Sequence, residues 1–132
     1  MSLWQTYKDS VFLCRQRLAI QLDFAIISAQ NPAGELKNPH VNLCLDKQFE
    51  AILHQARLPF RAVVGASADL KFQEKSWIVF CDKLQALQLA RKVRQNAIYW
   101  VTNNKLFLVP VLYQETEEYL GLFESRVILL AD

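Results

Sequence analysis

Glycine and proline are scarce, 3 and 4 in 132 residues. That scarcity excludes collagen-like and low-complexity chains. Cysteine is scarce too: Cys14, Cys44 and Cys81 stand far apart and form no CxxC pair. An odd, scattered set excludes a disulfide framework, so the three read as small buried hydrophobes in a reducing compartment. No excess of one charge exists, because 15 basic against 13 acidic residues leave a net charge of +2. So balanced a chain does not demand nucleic acid or an anionic membrane. No apolar run approaches the roughly 20 residues a spanning helix needs. Met1–Thr6 lacks the basic start and apolar block of a signal peptide, and a cytoplasmic protein is the expectation. The motifs GxxxxGK, GxGxxG and GxSxG are missing as well.

What is present is apolar sequence, 52% of the chain, enough for one domain over residues 1–132 with a core of its own. Leu3, Trp4 and Tyr7 predict a short amphipathic helix, and Val11–Cys14 a short strand. Residues 23–29 are continuously apolar, the pattern of a strand buried on both faces, and Asn31-Pro32-Ala33-Gly34 stops it. Asn38-Pro39 predicts an N-cap, and a stripe from Val41 through Cys44, Leu45, Phe49 and Leu53 predicts a helix with Asp46, Lys47 and Glu50 toward water. Strands over 60–65 and 76–81 follow, and then a helix opened by an Asp82/Gln85 capping box. Residues 97–101 and 106–109 flank Thr102-Asn103-Asn104-Lys105 as a hairpin, with Pro110 pointing to an edge strand. Past an acidic tail, residues 126–130 add a last strand or pack loosely. This order predicts an α+β fold with a split βαβ (ferredoxin-like) core. Its sheet is mostly antiparallel, with two main helices on one face, an N-terminal helix and a C-terminal hairpin and tail.

Short polar words punctuate the apolar runs: Ile27-Ser28-Ala29-Gln30-Asn31-Pro32 with Gly34, Asn42, Gly65, Glu74-x-Ser76, and Arg94-Gln95-Asn96-Ala97. Their order and spacing over residues 24–101 resemble domain-of-unknown-function family 3293, met in bacteria. The family pattern differs at three positions. Ser28 replaces a Thr, Phe72 stands in place of a Trp, and Leu45 in place of an Arg. The last difference weighs against an anion-binding role for that helix. The resemblance implies candidate positions and no activity.

Asn31 and Gly34 suit a loop that presents backbone N–H groups to a ligand, though Asn-Pro also simply ends a strand. Gln95 and Asn96 close a helix, where Asn suits a left-handed C-cap. Glu74 and Ser76 share one strand face and suit either an acid/base pair or a structural tie. In a ferredoxin-like sheet Gln95 and Asn96 lie near Asn31, whereas Glu74 is expected at the opposite end. One pocket holding them all then needs a different topology. His40 and Cys44 lack the second pair that would complete a metal site, so no metal and no cofactor is expected.

Three functions compete. The leading one is a non-enzymatic module that binds a small polar ligand or a protein partner through Asn31, Gly34, Gln95 and Asn96. The second is an enzyme with Glu74 as general acid or base and Ser28 or Ser76 positioning substrate. The third is a nucleic-acid-binding sheet with Tyr99, Trp77 and Trp100 as stacking residues, disfavoured because the RRM signature is absent. An exposed strand edge would permit a homodimer.

Overall fold

The computed structural model describes residues 2–131. Its centre is strand β2 (Phe24–Ile27), all four residues of which are buried. Side chains alternate along a strand, so β2 serves two cores. Ala25, Ile27 and Ala29 face one cluster, with Phe49, Leu53, Ala86, Leu89 and Ala90. Phe24 and Ile26 face another, with Phe12, Val63, Leu106 and Phe123.

In chain order the elements are α1 (Leu3–Lys8), β1 (Val11–Cys14), β2, α2 (Pro39–Gln55), β3 (Phe60–Ala66), β4 (Gln73–Val79), α3 (Lys83–Lys92), β5 (Ala97–Thr102), β6 (Lys105–Pro110), β7 (Glu118–Leu122) and β8 (Val127–Leu129). All eight strands join one sheet, ordered β7-β6-β5-β2-β4-β3-β1-β8. Neighbours run antiparallel except β1 and β8, which run parallel. The sheet is mixed and strongly curled into a half-barrel, with three helices.

This architecture overturns the expected split βαβ (ferredoxin-like) core with two main helices on one face. The finding that decides it is the eight-stranded curled sheet, which local periodicity does not specify because its outer pairings are long-range. The expected N-terminal strand and C-terminal tail are sheet strands, β1 pairing β3 and β8, and β7 pairing β6. The face opposite α2 and α3 is covered as well and carries its own core. Pro110 does not mark an edge. It ends β6, which lies between β5 and β7, and it sits opposite Ala97. The β5–β6 turn places both Asn103 and Asn104 at positive φ, 49° and 63°, as a two-residue hairpin turn requires.

Local signals set the helix ends. Asn38 Oδ1 accepts from Val41 N at 2.9 Å, and Pro39 occupies the first turn of α2. Asp82 and Gln85 form the capping box of α3. The buried stripe of α2 is Asn42, Asp46, Phe49 and Leu53. Val41 and Cys44, expected in the core, are exposed. Asp46, expected in water, is fully buried. The reason is a partner set that the helix pattern does not show. Asp46 accepts from Lys75 Nζ at 2.8 Å and from Trp77 Nε1 at 2.9 Å, while Lys75 Nζ lies 4.3 Å from the centre of the Trp77 ring. A buried carboxylate persists only when paired in this way. Of the other cysteines, Cys14 is buried and Cys81 half-buried, and burial pushes the Cys81 thiol up to about 11.

Asp46→Ala leaves the Trp77 N–H without its acceptor in a dry site, and is expected to cost about 2–4 kcal/mol in chemical denaturation. Leu43→Ala on the exposed side of α2 is expected to change stability by less than about 0.5 kcal/mol.

Candidate ligand-binding cleft

Antiparallel pairing of β2 with β4 puts Ile27 opposite Trp77. The chain leaving β2 therefore runs alongside the start of β4, and Asn31 arrives at Glu74. Asn31 Nδ2 donates to Glu74 Oε1 at 2.7 Å. Glu74 thus lies at the same end of the sheet as Asn31, not at the opposite end. The same antiparallel logic brings the start of β5 beside β2, with Tyr99 opposite Ile26. Gln95 Nε2 donates to Gln30 O at 3.1 Å.

All the polar words except Asn42, which holds Asn31 from α2, therefore border one cleft of about 360 Å³, on the sheet face away from α2 and α3. Ser28, Glu74, Ser76 and Gly65 line its sheet wall. Asn31, Gly34, Gln95 and Asn96 line its loop side. Helix α1 adds Tyr7, and Tyr99, Phe12, Ile26 and Leu108 supply the aromatic and apolar floor.

Asn31 is the most heavily bonded of these residues. Its backbone is left-handed, φ 49° and ψ 57°, a conformation Asn tolerates. Its N–H donates to Asn42 Oδ1 at 2.9 Å. Its Oδ1 accepts from Asn42 Nδ2 and from Lys37 N, each at 2.9 Å. One side chain thereby joins the loop, α2 and β4. Asn31 is a positioning residue, and the Asn42 that holds it is buried.

Gly34 also earns its place by geometry. Its φ is +76°, and a Cβ there would stand 2.8 Å from Asn96 Nδ2. Asn96 Nδ2 in turn donates to the Tyr7 phenol at 3.2 Å. The left-handed residue that ends α3 is Arg94, φ 56°, rather than Asn96. Ala33 N donates to Arg94 O at 2.7 Å, stitching the loop to that helix end. Ser28 Oγ accepts from Gln30 N at 3.0 Å and donates to Lys75 O at 3.2 Å. Ser76 Oγ donates to Glu74 O at 3.3 Å.

Burial raises the Glu74 carboxyl above its ordinary 4.5, against the opposing pull of the Asn31 amide and the Ser28 hydroxyl. The phenols of Tyr7 and Tyr99 are also raised, chiefly by burial. Tyr99 Oη lies 2.6 Å from Tyr7 O and 2.8 Å from Ser10 Oγ.

Tyr7 and Phe72 belong to the cleft without having been candidates for it, and Tyr99, put forward only as a stacking residue for nucleic acid, lines it too. Tyr7 reads as one more apolar position of a short helix, and only its contact with Asn96 reveals it. The proposed stacking residues Trp77 and Trp100 are buried in the helix-covered core, so they form no open platform for bases. Among the described residues no His/Cys/Asp/Glu cluster could hold a metal, and no helix is long and apolar enough to cross a membrane.

Because the folded-state pKa of Glu74 is raised, its protonated form favours the fold. That stabilisation is complete below the ordinary 4.5 and disappears as pH rises through the folded value. Glu74→Gln keeps an acceptor for Asn31 and never ionises. It is expected to melt higher than the wild type near pH ~7 and equal to it near pH ~4. Carboxyl NMR titration is expected to place Glu74 above the range of exposed glutamates.

The chain matches no curated protein and no solved structure. A family pattern matches residues 27–98, just over half of the chain. That span holds Ser28, Asn31, Gly34, Gly65, Glu74, Ser76, Gln95 and Asn96, while Tyr7 and Tyr99 lie outside it. The chain belongs to the family described as protein of unknown function (DUF3293).

Proposed function

We propose that this protein is a binding module that takes a small polar ligand into the cleft between α1 and the β2–β4–β5 sheet ends. One observation carries the reading. Polar residues from five separate stretches of sequence converge on a single concavity of about 360 Å³. That is within the roughly 300–1,000 Å³ usual for small-molecule sites, and the mixture of apolar floor and few polar groups is also usual. In this reading Glu74, Gln95 and Asn96 contact the ligand, Asn31 aims Glu74, and Gly34 lets the loop approach Asn96.

A second reading, an enzyme with Glu74 as general acid or base, is supported by the raised pKa of a carboxyl that lines the cleft with one oxygen tied to Asn31. The two readings share a site and differ in turnover.

Gly65 offers the test. It lines the cleft from β3, its φ is not left-handed, and a Cβ there meets nothing closer than 3.7 Å, the Ser76 Oγ. Gly65→Leu is expected to fill the cleft and leave the strand as stable or more so, since glycine weakens a strand interior. A small-molecule screen by amide NMR is expected to give hits whose shifts cluster at Gly34, Glu74–Ser76 and Gln95–Ala97. Gly65→Leu is expected to abolish them with the melting temperature retained. Hits unaffected by Gly65→Leu would place binding elsewhere. Release of a chemically altered hit would favour the enzyme.

A further inference from the structure

The hydrogen-bond inventory of the cleft goes further than its shape. The donors of its amides and of Ser28, Ser76 and Tyr99 are largely spent on protein acceptors, and the Tyr7 and Ser10 hydroxyls, which accept from Asn96 and Tyr99, are the donors left over. Asn31 Nδ2 is held by Glu74 Oε1, and Gln95 Nε2 by the carbonyls of Gln30 and Val93. Asn96 Nδ2 donates to Tyr7, Ser28 to Lys75 O, and Ser76 to Glu74 O. Tyr99 donates into Tyr7 O or Ser10.

The acceptors are a different matter. Among the described residues, Gln95 Oε1 and Asn96 Oδ1 accept from no protein group, and the Glu74 carboxylate, with Asn31 Nδ2 on Oε1 and the Ser28 hydroxyl close by, keeps lone pairs open. Among the described residues no fully buried side-chain polar atom lacks a partner, so these oxygens are reached by solvent. Their residues are otherwise almost enclosed: Gln95 and Asn96 are each 8% exposed, and both line the cleft with Glu74. Among the described residues Glu74 is also the one charged residue in the lining, which holds no Lys, Arg or His.

We infer that the cleft selects a compact ligand rich in N–H donors, of the amine, amidine or amino-heterocycle class, which it holds against the free oxygens of Glu74, Gln95 and Asn96, and that it rejects phosphates and carboxylates. The inference rests on the cleft being a ligand site, as proposed above. A half-buried carboxylate without a cationic neighbour in the cleft lining repels anions and gains most from a charge-assisted N–H donor. Gln95, whose nitrogen makes two bonds to backbone carbonyls, offers only its oxygen, and Asn96, with one of its two amide hydrogens on Tyr7, turns its oxygen to the cleft as well, which biases the site toward N–H donors.

Three isosteric probes of one size separate the possibilities: benzamidine, benzamide and benzoate, with inorganic phosphate alongside. Amide NMR titrations follow the cleft resonances in the wild type, Glu74→Gln and Gly65→Leu. Benzamidine is expected to bind best, benzamide more weakly, and benzoate and phosphate not at all. Glu74→Gln is expected to weaken benzamidine by about tenfold or more and benzamide much less, because benzamide is uncharged and can turn its carbonyl toward the new amide N–H. Gly65→Leu is expected to remove both. Benzoate or phosphate binding in the cleft as tightly as benzamidine would overturn the donor-rich class while leaving the cleft as a binding site. Benzamidine binding that survives Glu74→Gln undiminished would also overturn it. If none of the four probes moves the cleft resonances, the ligand-site reading itself fails.

Discussion

The hydrogen bonds of Asn31 are the constraint on which the site depends. A short loop leaves β2, turns left-handed at Asn31, and must still arrive at α2. Asn42 answers both the backbone N–H and the side-chain oxygen of Asn31, and the remaining amide hydrogen reaches Glu74. Each of those groups is at least half buried, where an unmade hydrogen bond costs on the order of 1–3 kcal/mol. The loop, the first half of α2 and the start of β4 therefore hold one another in register. Ala33 extends the same tie to the end of α3 through Arg94, while Gly34 lets the loop come close to Asn96.

Helix α2 shows the cost of this arrangement. Its buried stripe is apolar at Phe49 and Leu53 but polar at Asn42 and Asp46. Asn42 serves the loop, and Asp46 serves Lys75 and Trp77 on β4. Along β4 the residues alternate between these two duties. Lys75 and Trp77 turn to the helix, and Glu74 and Ser76 turn to the cleft. Fixing Lys75 and Trp77 from behind thus sets where Glu74 points, because neighbours on a strand share one backbone. The ion pair on one face and the carboxyl on the other are parts of the same support.

Local order was legible in the residues, and long-range order was not. Continuous apolarity marked β2 as buried on both faces, Asn38-Pro39 marked the start of α2, and Asp82/Gln85 marked that of α3. The polar words were visible as candidates because they interrupt apolar runs. Their convergence was hidden, since the expected sheet put Glu74 at the wrong end. The error was one of direction: strands that pair antiparallel set the start of one beside the end of the other. The half-barrel was equally invisible, because β1 finds β8 and β6 finds β7 through contacts no local pattern encodes. Asp46 looked like a solvent residue for the same reason, its partners lying on β4.

Two kinds of polar residue share the cleft, and burial distinguishes them by what remains unpaired. Where both ends of a side chain are satisfied, as in Asn31, the residue builds the wall. Where one end is tied and the other is open, as in Gln95 and Asn96, the scaffold fixes which end faces inward. An amide free at both ends could rotate and offer either donor or acceptor. Tying its nitrogen to backbone carbonyls, as in Gln95, removes that freedom before anything binds, so less ordering remains to be done on association. The bonds that close the loop onto β4 and α3 are therefore the same bonds that decide the polarity of the cleft, and the chemistry of the site cannot be altered independently of the fold around it.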